Sequence, residues 1–119
     1  MDTYISLPQQ GAIRPKKIES IIDSGANDCI FHAQIAERVG FDVKKGKVSQ
    51  TYGVDGKSSV IYFHSINLFA PGGVISITAA FSYELPIAGI LGMRGFFDHF
   101  KIVFDPAALR CELERVYHA

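Results

Sequence analysis

Apolar residues along the chain fall into short segments separated by glycines and prolines. Residues 74–81 alternate between apolar and polar, the period-two pattern of a strand with one buried face. Residues 60–69 are apolar on both faces, which is typical of a strand buried on both sides. Further strands are predicted at residues 18–23, 102–105 and 111–116. The pattern therefore predicts many short strands joined by frequent turns.

Two short helices are predicted among these strands. Phe31, Ile35 and Val39 recur at the spacing of a helical face, and Gly40 follows them where a left-handed cap belongs. A second helix is predicted within residues 93–99. Because the short strands outnumber the helices, the sequence favours a mostly β, closed or strongly curled barrel over an alternating β-α-β array.

Composition narrows the class of protein. The 119 residues suffice for one domain, which we take to span residues 1–119. Twelve Lys and Arg balance twelve Asp and Glu, so the chain has no basic field to attract nucleic acid. No apolar stretch approaches the roughly 18 residues of a membrane-spanning helix, and no secretory signal is visible. Two cysteines, Cys29 and Cys111, cannot form a disulfide framework, and their scarcity favours a cytoplasmic location.

The segment Ile21-Ile22-Asp23-Ser24-Gly25-Ala26 is the first candidate for chemistry. It places a carboxylate at the end of an apolar strand, followed by a hydroxyl and a glycine. Burial against the isoleucines would make an ionised Asp23 costly unless it is hydrogen-bonded or shares its charge. Gly25 lets the backbone turn sharply and another chain approach closely. Taken alone, the tripeptide is more typical of a strand-ending turn.

The segment Ile90-Leu91-Gly92 is the second candidate, and taken alone it predicts a buried strand that leads into a helix. In this order, however, the two segments resemble the retropepsin-like family of aspartic proteases, which are single-domain relatives of the retroviral proteases and pepsin. The resemblance covers roughly residues 18–105, and residues 92–105 are similar to bacterial members. It implies a closed acid-protease barrel that supplies half of a two-fold active site.

The resemblance implies an aspartic endopeptidase. Such an enzyme needs two carboxylates that share one proton and activate one water, because like charges so close cannot both ionise. The chain has one Asp-Ser-Gly. The implied enzyme is therefore a homodimer with Asp23 from each subunit on the two-fold axis, acting on a peptide or protein substrate. The Ser24 hydroxyl would link the two active turns, and no cofactor or metal is implied.

The resemblance also assigns substrate contacts. Gly25 and Ala26 match positions that the substrate backbone passes closely, and Asn27 and Asp28 match positions that hydrogen-bond the peptide main chain. Pocket walls and a covering hairpin, the flap, complete the expected substrate-binding set: Ile30, Ile90, Tyr52, Gly53, Val54, Asp55 and Gly56. For Tyr52, a substrate contact and a packing role are both open.

The chain departs from the retroviral pattern after Gly92. Retroviral members have an arginine directly after this glycine, paired with an acid near the active turn, whereas here Met93 fills the position and Arg94 follows. The pairing, and the support it gives a dimer, is therefore open. Retroviral termini also interleave into a shared sheet, as residues 4–7 and 111–116 would if this chain behaved alike.

Other interpretations of the chemistry remain open. The same fold would serve as a non-catalytic dimerisation or peptide-binding module, and an unrelated barrel would carry Asp-Ser-Gly by coincidence. A metal site on Asp28 and His32 is disfavoured because no third ligand has matching spacing. Cys29 is expected to be a small apolar filler rather than a nucleophile, and His64 a structural residue within a strand.

Overall fold

The computed structural model describes residues 1–8, 17–38, 40–52 and 56–116. The strands are β1 (Asp2–Ser6), β2 (Ile18–Ile22), β3 (Ile30–His32), β4 (Lys47–Tyr52), β5 (Ser58–Ala70), β6 (Gly73–Ser82), β7 (Gly89–Leu91), β8 (Phe100–Asp105) and β9 (Arg110–Arg115). The helices are α1 (Ala33–Arg38) and α2 (Phe96–His99), with a 3₁₀ turn at Val43–Lys45. No helix in the described ranges is long and apolar enough to cross a membrane.

Six strands close into a barrel. They follow the order β1-β2-β7-β3-β6-β5, and β1 also pairs with β5, which completes the ring. Strand β4 pairs with β5 outside the ring, and β8 and β9 form a separate two-stranded sheet. The expected mostly β, closed barrel with two short helices is confirmed.

The barrel interior is filled from the inward faces of its strands. In β6 the inward residues Ile75, Ile77, Ala79 and Phe81 are buried, as the alternating pattern predicts. Phe81 contacts Phe31 and Phe41, with ring centroids 6.0 and 5.3 Å apart. Because aromatic side chains bury large apolar areas, this group supplies much of the core that holds the short strands together.

Strand β7 lies between β2 and β3, and this order places the candidate site. It runs parallel to β2, where Ile21 is opposite Ile90, and antiparallel to β3, where Ile30 is opposite Ile90. The loop from β2 to β3 must therefore pass around the end of β7. This topology brings residues 23–29 to the segment that follows Leu91.

Helix boundaries differ from the sequence prediction for tertiary reasons. Phe31 belongs to β3, not to a helix, because it pairs with Phe81 in the barrel wall, and α1 starts two residues later. Gly40 has a φ of 95°, the left-handed conformation expected after the helix. Val39 lies outside the described residues. Helix α2 starts at Phe96 because backbone hydrogen bonds to the β2–β3 loop hold residues 93 and 94.

One strand prediction also changes. Strand β5 is not buried on both sides along its whole length, since Val60 and Ser65 are exposed. Strand β1 pairs within the chain with β2 through Thr3 and with β5 through Ile5, and its place in a sheet shared with another subunit stays a prediction. Among the described residues, β9 pairs only with β8.

Gly89 offers a test of the packing around β7. A Cβ at this position would lie 2.5 Å from Ser20 Oγ and 2.8 Å from Phe31 Cδ1. We expect Gly89→Ala to lower the free energy of unfolding by about 1–3 kcal/mol, because neither β2 nor β3 can move away without disturbing the barrel. Urea denaturation measures the change. The control is Ser65→Thr, which adds a methyl group at an exposed position. It should change the free energy of unfolding by less than about 0.5 kcal/mol.

Candidate active site

The Asp23-Ser24-Gly25 turn is held by its own backbone. The Asp23 N–H donates to the carbonyl of Leu91 at 3.0 Å, and the Ala26 N–H donates to the carbonyl of Asp23 at 3.2 Å. The Gly25 N–H donates to Asp23 Oδ1 at 2.8 Å and orients the carboxyl group. All three residues of the turn are exposed. The barrel therefore presents Asp23 at its surface in a fixed orientation.

Asp23 does not carry the desolvation cost that burial against the isoleucines would impose, because it is exposed. Ile21 is 54% exposed, and Asp23 itself is accessible to water, so the carboxylate is not enclosed by the isoleucines within one chain. Residues two apart on a strand share a face, so Ile21 provides an apolar surface beside Asp23. Ile21 is not among the predicted site residues, although its spacing from Asp23 indicated a shared side.

Backbone contacts join the two sequence motifs. The Met93 N–H donates to the carbonyl of Ala26, and the Arg94 N–H donates to that of Asn27, both at 2.8 Å. A Cβ on Gly92 would lie 2.3 Å from the Asp28 carbonyl oxygen and 2.8 Å from that of Ala26. Only glycine permits this approach. The glycine of the second motif therefore allows the loop of the first motif to pack against it.

The arginine pairing left open by the sequence is present, one residue later than in the retroviral pattern. Arg94 Nε and Nη2 donate to Asp28 Oδ1 and Oδ2 at 3.0 and 3.1 Å. The Asp28 side chain is 17% exposed and that of Arg94 70%. A bidentate pair fixes geometry as well as adding energy. Both oxygens of Asp28 therefore have a partner within the chain, and its predicted contact with a substrate main chain stays a prediction.

The other predicted substrate contacts lie on two separate parts of the fold, the strands β3 and β7 beside the turn and the β4–β5 hairpin. Ile30 and Ile90 are half-buried register partners next to the Asp23 turn, while Asn27 is exposed. Tyr52 is exposed at the end of β4, opposite Ser58 of β5, so the expected hairpin is present. Gly56 has a φ of 78°, as a turn residue would. The predicted residues Gly53, Val54 and Asp55 lie outside the described residues.

Cys29 is buried beside the Asp23 loop, and its surroundings do not activate a thiol. Burial raises the pKa of the Cys29 thiol, and its Sγ lies 3.6 Å from the carbonyl of Arg94. A thiol that is buried and protonated is a poor nucleophile. Across the described ranges, no three His, Cys, Asp or Glu side chains come together as metal ligands would.

The closed barrel, with an exposed Asp-Ser-Gly turn packed against Ile90-Leu91-Gly92, defines an acid-protease type of domain. The sequence model of a family described as aspartyl protease matches residues 10–94. The chain belongs to this family.

Two solved structures are similar to the chain. One is a retropepsin-like aspartic protease from Rickettsia conorii, with a TM-score of 0.62 and 20% identity over 89% of this chain and 75% of that chain. The other is the retroviral protease-like domain of Ddi1 from Leishmania major, with a TM-score of 0.64 and 17% identity over 97% and 88%. At these identities the likeness concerns the fold, and it confirms the retropepsin-like architecture. None of the curated proteins compared with the chain matches it.

A double-mutant cycle tests the Asp28–Arg94 pair. We expect Asp28→Asn and Arg94→Gln to show a coupling free energy of about 1 kcal/mol, because the geometry is bidentate and the carboxylate is mostly shielded. Urea denaturation of both single variants and the double variant measures it. The exposed pair Arg110–Glu112, at 3.5 Å, is the matched control and should give less than about 0.3 kcal/mol. Equal coupling in the two pairs would contradict the expectation.

Proposed function

We propose that the chain is an aspartic endopeptidase whose active site is completed by a second copy of itself. The proposal depends on one observation: the Asp23 carboxyl group is exposed and is oriented by a hydrogen bond within a complete Asp-Ser-Gly turn. The chain contains this tripeptide once, whereas the chemistry needs two carboxylates. A symmetric dimer with both turns on its axis supplies the second one.

In such a dimer, the Asp23 carboxylate of one subunit takes a proton from a water molecule held between the two acids. The water oxygen attacks the carbonyl carbon of the scissile peptide bond and forms a tetrahedral intermediate. The protonated Asp23 of the other subunit then gives its proton to the amide nitrogen, and the C–N bond breaks. The products are a carboxylic acid and an amine, and the pair again holds one proton.

Neighbouring residues take supporting roles in the proposal. The Ser24 hydroxyl links the two turns across the axis, and Ile21, Ile30 and Ile90 form an apolar wall for substrate side chains. The β4–β5 hairpin, with Tyr52 near its end, lies over the substrate and excludes water. An extended peptide fits this arrangement because its main chain can hydrogen-bond to backbone groups while alternate side chains enter pockets.

The β8–β9 hairpin supports the choice of a second copy as partner. One of its faces packs against the barrel near its base, where Phe100 is buried, and becomes uncovered towards its tip. Phe104 on this face is 66% exposed, and Leu109 in the connecting turn is 92% exposed. Leu109 also has a φ of 52°, which is strained for a branched side chain. Such an apolar projection is unfavourable in water.

This uncovered surface is continuous with the surroundings of the active turn. Cys111, opposite Phe104 in the hairpin, lines one groove with Phe104 and Leu109. It also lines a second groove with Ile21 and Ile22, directly before Asp23. We propose that a second copy covers both grooves when the two Asp23 side chains meet. The chemistry and the exposed apolar surface therefore point to the same partner.

Substitution of Asp23 tests the catalytic part of the proposal. We expect Asp23→Asn to reduce cleavage of a peptide library by at least about a thousandfold, because an amide can neither accept the water proton nor donate one as a carboxylic acid. The assay is run at about pH 4–6, where a carboxyl pair retains one proton, with and without pepstatin.

The control is Ser24→Thr, which keeps the hydroxyl and should keep activity. Equal cleavage by the parent and Asp23→Asn would remove Asp23 as the catalyst. A parent that sediments as a dimer but cleaves no peptide would favour the dimerisation or peptide-binding module over the enzyme.

The dimer surface has a separate test. We expect the double variant Phe104→Ser, Leu109→Asn to raise the dimer dissociation constant about tenfold or more, because two large apolar side chains no longer leave water on assembly. Asparagine tolerates the positive φ at position 109, so the fold of the turn is retained. Sedimentation across a concentration series measures the constant. Val48→Ser, an exposed apolar residue on β4, is the control and should leave it unchanged.

A further inference from the structure

The β4–β5 hairpin is held to the barrel through β5, where Ile61 is buried and Tyr62 packs against the core, rather than through β4. Strand β4 has no buried residue, and β5 is its only strand neighbour among the described residues. The β4–β5 pairs run from Tyr52 opposite Ser58 to Lys47 opposite Phe63. From Tyr62 onwards, β5 is also part of the barrel wall, paired with β6. The orientation of the whole hairpin therefore depends on what holds residues 47 and 63.

His64 is the first residue of β5 beyond this base. Its Nε2 lies 2.7 Å from the carbonyl oxygen of Val43, in the 3₁₀ turn that precedes β4. A carbonyl oxygen can only accept, so Nε2 carries the hydrogen and donates it. The same oxygen accepts the Gly46 N–H at 3.1 Å. One acceptor therefore closes the turn and ties it to the neighbouring strand.

The imidazole ring is held in place from two sides. Its centroid lies 5.9 Å from that of Phe41 and 5.6 Å from that of Phe81, with edge-to-face angles of 78° and 74°. Both phenylalanines belong to the buried core. Edge-to-face contacts of this kind stabilise one ring orientation. The hydrogen bond to Val43 therefore connects the start of β4 to the rigid centre of the barrel.

Gly46 lies directly under this ring. Its φ of −71° is ordinary for any residue, so the glycine is not needed for its backbone conformation. It is needed for space, because a Cβ would lie 2.4 Å from the Phe63 carbonyl oxygen and 2.5 Å from His64 Nε2. Any side chain at this position would push the turn away from β5. The close approach of the 3₁₀ turn to β5 thus occurs at the His64 contact.

From these contacts we propose that His64 is a positioning residue that fixes the base of the β4–β5 hairpin, with Gly46 as the pivot. Its donated hydrogen bond sets the angle at which β4 leaves the barrel, and β4 in turn places Tyr52. The effect on substrate rests on the proposed function, in which this hairpin lies over the substrate. The fixed base of the hairpin, which we call the hinge, does not depend on the proposed function, because its contacts lie within the single chain.

Hydrogen exchange of backbone amides tests the hinge without any use of catalysis. His64→Phe keeps a ring of similar size but removes the donor, and His64→Gln keeps a donor near the position of Nε2. We expect His64→Phe to raise exchange in β4 about five- to tenfold, the effect of one lost hydrogen bond, and to leave β6 unchanged. His64→Gln should restore most of the protection. Gly46→Ala should match His64→Phe.

The exchange results distinguish a local role of His64 at the hairpin base from a general role in packing of the barrel. Exchange in β4 that stays at the parent level in both His64→Phe and Gly46→Ala would overturn the proposal, as would an equal rise in β4 and β6. In a peptide-cleavage assay, His64→Phe should raise KM severalfold with little change in kcat, since the reacting groups are untouched. If the parent cleaves no peptide, the exchange result still decides whether His64 holds the hairpin.

Discussion

The close approach of Gly92 to the backbone of residues 26–28 is the constraint on which the candidate site depends. Because β7 lies between β2 and β3, the loop that joins those strands must cross the end of β7, and only a residue without a Cβ leaves room for it. The crossing allows the backbone of residues 93 and 94 to donate to this loop. The Asp23 carboxyl thus receives its position from the barrel topology rather than from side-chain packing.

The exposed Asp23 carboxyl group also sets an energetic condition on any dimer that would bring two copies of it together. In a single chain Asp23 is solvated, so it is stable without a partner. Two such groups brought together repel unless they share a proton, and each loses part of its hydration. A dimer therefore needs favourable contacts elsewhere to offset this cost. In the dimer that we propose, the uncovered apolar face of the β8–β9 hairpin would provide such contacts, because its exposure is unfavourable in one copy.

Local patterns in the sequence predicted the elements whose structure is decided locally. The alternation in β6, the turn after Asp23 and the left-handed Gly40 follow from side-chain period and glycine conformation. Phe31 fits a helical spacing equally well, and only its pairing with Phe81 across the barrel makes it a strand residue. Tertiary pairing of this kind cannot be derived from a single helical face.

The Asp28–Arg94 pair is a second contact that depends on tertiary pairing and that the local sequence could not predict. Compared with the retroviral pattern, the arginine is displaced by one residue, and from the sequence this displacement left the pairing open. The isolated parallel bridge between residues 28 and 94 restores the contact, because it sets the two backbones in register at those residues. The register depends on how the β2–β3 loop crosses β7, which neither motif determines by itself. His64 was likewise expected to be structural, but its contact with Val43 joins segments about twenty residues apart and required the fold.

The Asp23 turn and the β4–β5 hairpin differ in how firmly they are held, and this difference would suit the proposed hydrolysis of a peptide. The Asp23 turn is bound to the barrel by backbone hydrogen bonds, so its carboxyl can be oriented before any substrate arrives. The β4–β5 hairpin, in contrast, has almost no buried side chain of its own along β4. Segments with few buried contacts open at the lowest free energy. In the enzyme that we propose, a substrate that enters and leaves would therefore displace the hairpin rather than the Asp23 turn, while the base of the hairpin stays fixed. The hydrogen bond from His64 lies at that base, where a small change in angle produces the largest movement at Tyr52.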